Sequence, residues 1–180
     1  MNFNTLLHYN PVQDIADKLK PDPFIGTELE DYCYLSPKSK ETISEKITLR
    51  EIAKLVIKYN IQIEFSSRDD PGHDFKLAKD RIEGKTSVAG MINHLGADKS
   101  WTIVVYCQPV DPLNELYSLT YFTKSDFIQL LNLPNRKDFI GRQQGGEKGD
   151  NDDWLVKDYK KLPPDFLKPV DANFFKYVLR

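Results

Sequence analysis

The stretch "HDFKLAKDRIEGKTS", residues 73–87, decides the fold of this chain because it contains two strand-like runs in which every second position is charged. Side chains alternate between the two faces of a strand, so this pattern predicts strands with one buried face and one charged face. We predict that "HDFKLA" and "RIEGKT" pair antiparallel around a two-residue loop, Lys79-Asp80. The sequence therefore indicates a hairpin at the centre of the domain.

This pairing divides the hairpin into two faces. It places Lys76 opposite Glu83 and Asp74 opposite Lys85. The charged face is expected to carry Asp74, Lys76, Ala78, Arg81, Glu83 and Lys85, and the buried face Phe75, Leu77, Ile82 and Gly84.

Two interpretations of the charged face remain open. In one, cross-strand ion pairs line a solvated surface, each stabilising the fold by at most about 1 kcal/mol. In the other, the carboxylates of Asp74 and Glu83 hold Mg²⁺, which prefers oxygen ligands, and the Lys85 amine assists the chemistry.

A further acid, Glu45, bears on this choice. It precedes Leu49, Ile52 and Val56 by four, seven and eleven residues, so it shares the apolar stripe of a predicted helix. An acid that points at the sheet needs a partner, whereas an acid at the frayed end of the helix reaches water.

The remaining sequence predicts one mixed α/β (α+β) domain. Residues 1–35 indicate an N-terminal arm or cap, and residues 36–180 the main domain. The predicted elements are a helix in 36–60, strands at 61–67, 73–78, 81–87, 101–108 and 116–122, a helix capped by Thr123 or Ser125, a long Gly-rich loop after Pro134, a short strand near 154, and a helix from Asp171.

Composition limits the functional classes. The 180 residues carry a formal net charge of −2, so a nucleic-acid partner would require a local basic patch. The two cysteines, Cys33 and Cys107, are far apart and form no zinc motif. No secretory signal or membrane-spanning run is evident, and we expect a cytoplasmic protein.

The hairpin resembles a known superfamily, the PD-(D/E)xK nucleases, which includes most type II restriction endonucleases. "PGHDF" followed by "RIEGKTS" is similar to the core motif of that family. Asp74, Glu83 and Lys85 fall on its acid and Glu-x-Lys positions. Two positions depart from the pattern: His73 replaces a proline, and Gly84 replaces a residue that is usually apolar.

The resemblance extends over about residues 36–158, including the helix that carries Glu45. It implies a restriction-endonuclease-like mixed β-sheet flanked by helices, and Mg²⁺-dependent cleavage of DNA, with Mn²⁺ as a substitute ion. By this resemblance, Asp74 and Glu83 would ligate the metal, Lys85 would position or activate water, and Glu45 would support the metal or the lysine.

A nuclease also needs cations around its site, because phosphate contacts dominate affinity for DNA. Glutamine is suited to reading adenine edges and arginine to reading guanine. The candidate DNA-binding residues are Lys38, Lys40, Lys76, Arg81, Arg142, Gln143, Gln144 and Lys148. The competing interpretation of the last four is a solvated surface loop.

These observations lead us to expect a Mg²⁺-dependent DNA endonuclease, most simply a type II restriction enzyme that acts on double-stranded DNA as a homodimer. The alternatives are a catalytically inactive DNA-binding protein and a protein-interaction protein, each with a nuclease-like fold.

Overall fold

The computed structural model describes residues 26–27, 29–30, 35, 37–66, 72–86, 90–111, 114, 116–142 and 153–180. Only the backbone is described at residues 37–42, 44 and 65. Most of the predicted N-terminal arm, residues 1–35, lies outside this set.

Three α-helices and nine strands form the described part of the chain. The helices are α1 (Pro37–Tyr59), α2 (Lys124–Asn132) and α3 (Ala172–Val178), with 3-10 turns at Arg136–Asp138 and Tyr159–Lys161. The strands are β1 (Glu64–Phe65), β2 (Phe75–Leu77), β3 (Asp80–Thr86), β4 (Ile92–Gly96), β5 (Ile103–Asp111), β6 (Leu116–Thr123), β7 (Ile140–Arg142), β8 (Asp153–Val156) and β9 (Lys168–Pro169).

The predicted helices are all confirmed, and their ends have local causes. α1 begins at Pro37, a position where the backbone N–H that proline lacks would have no partner within the helix. It ends before Asn60, which takes a left-handed φ of +52°. Thr123 caps α2 in a reciprocal capping box with Asp126. Asp171 caps α3 by accepting hydrogen bonds from two backbone N–H groups.

The fold is α+β, with a mixed six-stranded sheet in the order β1-β2-β3-β5-β6-β9. In this sheet only β3 and β5 pair in parallel, and all other neighbouring strands pair antiparallel. We predicted a single sheet, but β4, β8 and β7 form a second, antiparallel one. β4, β7 and β9 were missed because they are two to five residues long and carry little strand pattern.

Alternation along β5 gives the main sheet two covered faces. The first, which we call the α1 face, includes Ile103 and Val105 and packs against α1 and α3. The second, which we call the β4 face, includes Val104 and Tyr106 and packs against the second sheet and α2. Trp101 is fully buried on that side.

Within the described residues, no helix combines the length and apolarity needed to cross a membrane.

Candidate active site

The β2–β3 hairpin forms, but its loop differs from the prediction. The register pairs Phe75 with Ile82, Lys76 with Arg81 and Leu77 with Asp80. The loop is Ala78-Lys79, one residue earlier than predicted, and Lys76 therefore faces Arg81 instead of Glu83. Ala78 has a φ of +52°, a left-handed conformation that favours glycine, so the sequence carried no signal for this turn.

The hairpin has the same buried and charged faces in the observed register as in the predicted one. The observed and predicted registers differ by two residues, and a shift of two leaves the side chains of the paired residues on their original faces. Phe75, Leu77 and Ile82 are buried on the α1 face, as predicted. Asp74 does not lie opposite Lys85; its backbone N–H donates a 2.9 Å hydrogen bond to the carbonyl of Ile82.

Glu83 and Lys85 point to the β4 face of the sheet. Their register partners on β5 are Val104 and Tyr106, both of which belong to the core on that side. The Lys85 Nζ atom lies 2.5 Å from Glu83 Oε1, and the side chains are 20% and 12% exposed respectively. They form a partly buried ion pair at a position that solvent still reaches.

Asp74 directly precedes β2, just beyond the residues of β2 that pair with β3. Its Oδ2 atom accepts a 2.6 Å hydrogen bond from the backbone N–H of Gly84. The carboxylate thus takes the place that a strand carbonyl would occupy in the ladder. This bond holds the Asp74 carboxylate beside Gly84, and the Asp74 backbone is hydrogen-bonded to Ile82 on one side and to Ser66 on the other.

Burial and the neighbouring Glu83 carboxylate raise the pKa of Asp74 to about 6. The Gly84 hydrogen bond and the Lys85 ammonium oppose this shift, and the Glu45 carboxylate adds to it. A positive charge placed near this carboxyl group would stabilise its ionised form. Three predicted site residues therefore act electrostatically on a fourth.

The exposure of Glu45 agrees with the interpretation in which the helix acid reaches water. Its side chain is exposed, on α1 one turn before the half-buried Leu49. Because α1 covers the α1 face, Glu45 approaches the cluster from the opposite side of the sheet to Glu83 and Lys85. Its carboxylate raises the pKa of Asp74 less than burial and the Glu83 carboxylate do.

The helix packs tightly beside Gly84. A Cβ atom at residue 84 would lie 3.1 Å from Cγ2 of Thr48 and 3.2 Å from Oδ2 of Asp74. Thr48 is buried and its hydroxyl is hydrogen-bonded to that of Thr86. This close approach gives a physical reason for glycine where the resembling family usually carries an apolar residue.

His73 and Ser100 support the segment before Asp74, and sequence reasoning assigned neither of them a role. His73 is buried, and its Nδ1 atom lies 3.3 Å from Ser100 Oγ. The only sequence signal was the adjacency of His73 to Asp74, because Ser100 is distant in the chain.

The predicted DNA-binding residues have different positions. Lys76 and Arg81 are register partners on the hairpin, two residues from Asp74 and Glu83. Arg142 ends β7 and lies 4.0 Å above the Trp154 ring. The side chains of Lys38 and Lys40, and all of Gln143, Gln144 and Lys148, lie outside the described residues.

A polar cavity of about 420 Å³ adjoins the β4 face and was not anticipated. Its lining includes Gln108, Tyr159 and three lysines, Lys157, Lys160 and Lys161. The sequence signal for it was the basic run "VKDYKKL" with its tyrosine.

The carboxylate oxygens of Asp74 and Glu83 are of the ligand type that Mg²⁺ prefers. Among the described residues, no three histidine, cysteine, aspartate or glutamate side chains form a metal-ligand group. The Gly84 N–H donates to Oδ2 of Asp74 and the Lys85 ammonium donates to Oε1 of Glu83, which leaves a second oxygen on each carboxylate. Mg²⁺ is commonly bound by one or two carboxylates together with water and substrate phosphates.

No family model, curated protein or solved structure matches this chain, and the functional inference rests on the side chains around Asp74.

Proposed function

We propose that this chain is a Mg²⁺-dependent DNA endonuclease of the PD-(D/E)xK type, with a restriction-endonuclease-like fold. One observation carries the proposal: the Asp74 carboxylate, directly before β2 of a mixed sheet, is fixed by the Gly84 N–H beside the Glu83–Lys85 pair. Two neighbouring carboxylates can ligate a divalent ion, and an amine beside them can stabilise charge during metal-assisted phosphodiester hydrolysis.

Asp74 and Glu83 would hold the ion, for which Mn²⁺ is the expected substitute. When bound, Mg²⁺ supplies Lewis acidity that polarises a phosphoryl oxygen and makes water more acidic. The raised pKa of Asp74 supports this role, because a divalent cation relieves the repulsion between its carboxylate and that of Glu83. Glu45 adds negative charge near Asp74 from the side of α1.

Lys85 would act on the attacking water and on the phosphoryl group. Its 2.5 Å contact with Glu83 keeps the ammonium beside the carboxylates. There it can orient the water whose oxygen forms a bond to phosphorus while a phosphorus–oxygen bond to sugar breaks. The products are a phosphate monoester and a hydroxyl group, and Lys85 stabilises negative charge that develops on phosphorus.

Lys76 and Arg81 would contact the phosphates next to the cleaved bond. Their pairing on the hairpin brings two cations within two residues of the acids. Double-stranded DNA is the expected substrate. Because each site hydrolyses one strand, a restriction-type double-strand cut would require a homodimer.

A plasmid cleavage assay with Mg²⁺, and with EDTA in its place, tests the proposal. We expect cleavage that EDTA abolishes and that Lys85→Ala reduces by at least about 100-fold. Lys79→Ala removes the same charge from the exposed loop of the same hairpin and is the matched control. Circular dichroism of both variants establishes that the fold is retained.

The two alternatives give different results in this assay. DNA binding without Mg²⁺-dependent cleavage would indicate an inactive DNA-binding protein. The absence of both would indicate a protein-interaction protein. Cleavage that persists in Lys85→Ala would contradict the assignment of this site.

A further inference from the structure

We infer that Lys157, Lys160 and Lys161 form a groove that binds the phosphodiester backbone of a DNA duplex leading into the site around Asp74. The inference rests on the proposed nuclease function and adds a substrate contact to it. We call the cavity lined by these lysines, Gln108 and Tyr159 the lysine groove.

The lysine groove lies on the same face of the main sheet as Glu83 and Lys85. Lys85 is paired with Tyr106 on β5, and the Tyr106 ring lies 5.6 Å from that of Tyr159. Gln108 follows two residues later on the same face and donates a hydrogen bond to the Tyr159 hydroxyl. Strand spacing and rise put the Cα atoms of Lys85 and Gln108 ~8 Å apart.

Hydrogen bonds to backbone groups fix the wall of the groove. The Tyr159 N–H donates a 2.9 Å hydrogen bond to the carbonyl of Gly90. Asp158 accepts a 2.9 Å hydrogen bond from the Lys160 N–H, which caps the 3-10 turn. The first bond holds the turn against the segment before β4, and the hydrogen bond from Gln108 to the Tyr159 hydroxyl holds it against β5. Lys160 and Lys161 are exposed to solvent.

The charge of this region is opposite to that of the whole chain. Asp138 and Asp158 also line the groove, so its three lysines give a local excess of one positive charge. Arg136 and Lys137 are exposed on the adjacent 3-10 turn and increase this excess. The complete chain carries −2. A segregated cationic patch in an acidic protein is the arrangement expected for a polyanion partner.

A nucleic-acid backbone fits this surface better than a compact anion does. Lys160 and Lys161 are exposed, so neither forms a closed pocket around a single phosphate. Exposed lysines along a groove can neutralise successive phosphates, with Gln108 and the tyrosine hydroxyl as polar floor groups. The groove lies close to the proposed cleavage site, because the Cα atoms of Gln108 and Lys85 are ~8 Å apart.

Fluorescence anisotropy with a labelled duplex of about 20 base pairs, in EDTA, measures this contact without cleavage. We expect Lys157→Gln/Lys160→Gln/Lys161→Gln to weaken binding at least about tenfold near 50 mM salt. The slope of log K against log salt should fall by about 2 to 3, at 0.9 per lost phosphate contact. The control is Lys54→Gln/Lys58→Gln/Lys176→Gln, which removes equal charge from exposed positions on α1 and α3.

Binding by the groove variant equal to that of the control, or no binding of the duplex by the wild-type protein, would overturn the inference. Stronger competition by an RNA duplex would overturn the assignment to DNA. If the triple variant is unstable, Lys160→Gln/Lys161→Gln tests the groove with two exposed side chains. Loss of binding in the variant, together with a wild type that binds but never cleaves, would support the groove and refute the nuclease.

Discussion

The backbone N–H of Gly84 donates a 2.6 Å hydrogen bond to Oδ2 of Asp74. This single contact connects the end of one strand to the middle of the Glu-x-Lys segment on the next. It also fixes a carboxylate beside Glu83, where both burial and repulsion raise its pKa. The fold therefore maintains an unfavourable charge arrangement that a metal ion or a neutral side chain would relieve.

Replacement of Asp74 by asparagine should stabilise the metal-free protein. The folded protein binds the Asp74 proton more tightly than the unfolded chain, since the pKa rises from 3.8 to about 6. That stabilisation is fully present below the unfolded pKa and is lost as pH rises through about 6. The asparagine side chain of Asp74→Asn stays neutral and can still accept the Gly84 N–H. We therefore expect its free energy of unfolding to exceed that of the wild type by ~2 kcal/mol at neutral pH.

Urea denaturation of both proteins in EDTA, from about pH 7.5 down to about pH 4, measures this difference. The gap should close as pH falls from about 7 to about 4. Comparison of the two proteins at each pH cancels the titration of all other groups. An Asp74→Asn variant less stable than wild type at pH 7.5 would contradict the prediction.

Mg²⁺ should stabilise the wild-type fold and leave Asp74→Asn unchanged. A ligand at ten times its dissociation constant adds about 1.4 kcal/mol, which for a chain of this size raises Tm by roughly 3–6 °C. The effect should weaken below about pH 6, where a proton competes for the Asp74 carboxylate. Differential scanning fluorimetry with Mg²⁺, Mn²⁺ and EDTA measures the shift, and an equal shift in both proteins would place the ion elsewhere.

Gly84→Ala should lower both stability and cleavage. Its Cβ would approach Thr48 Cγ2 and Asp74 Oδ2 to 3.1 and 3.2 Å, so the helix or the carboxylate must shift. We expect a cost of about 1–2 kcal/mol. Thr48→Ser removes the clashing methyl group and keeps the hydroxyl that bonds Thr86.

The double variant Gly84→Ala/Thr48→Ser separates these two contacts. Recovery of stability without recovery of cleavage would identify the displaced Asp74 carboxylate as the cause of lost activity. Recovery of neither would show that the Thr48 contact does not limit packing at this position.

The two cap candidates for α2 should differ in their effect on stability. Thr123 accepts a 3.1 Å hydrogen bond from the Asp126 N–H, whereas Ser125 is exposed and one residue inside the helix. Thr123→Ala should cost ~1 kcal/mol and Ser125→Ala should be nearly neutral. Chemical denaturation measures both, and equal effects would exclude the capping box as the source of stability.

Much of the local structure could be predicted from the sequence. The ends of α1 and α2 follow from proline, threonine and the apolar stripe, and alternation identified both the buried Phe75 and the charged face of the hairpin. The hairpin loop could not be predicted, because Ala78 adopts a left-handed conformation that its residue type disfavours. The second sheet was missed for a related reason: its strands are too short to show a period.

The face shared by Glu83 and Lys85 was determined by the sequence alone, because side chains alternate along a strand whatever its partner. Only the tertiary structure decided that Asp74 lies beside Gly84 before β2, that Glu45 contributes to its raised pKa, and that the turn bearing Tyr159 packs against Tyr106, the β5 partner of Lys85. Those relationships depend on which strands become neighbours. Strand pairing joins residues far apart in the chain, and local propensity does not encode that choice.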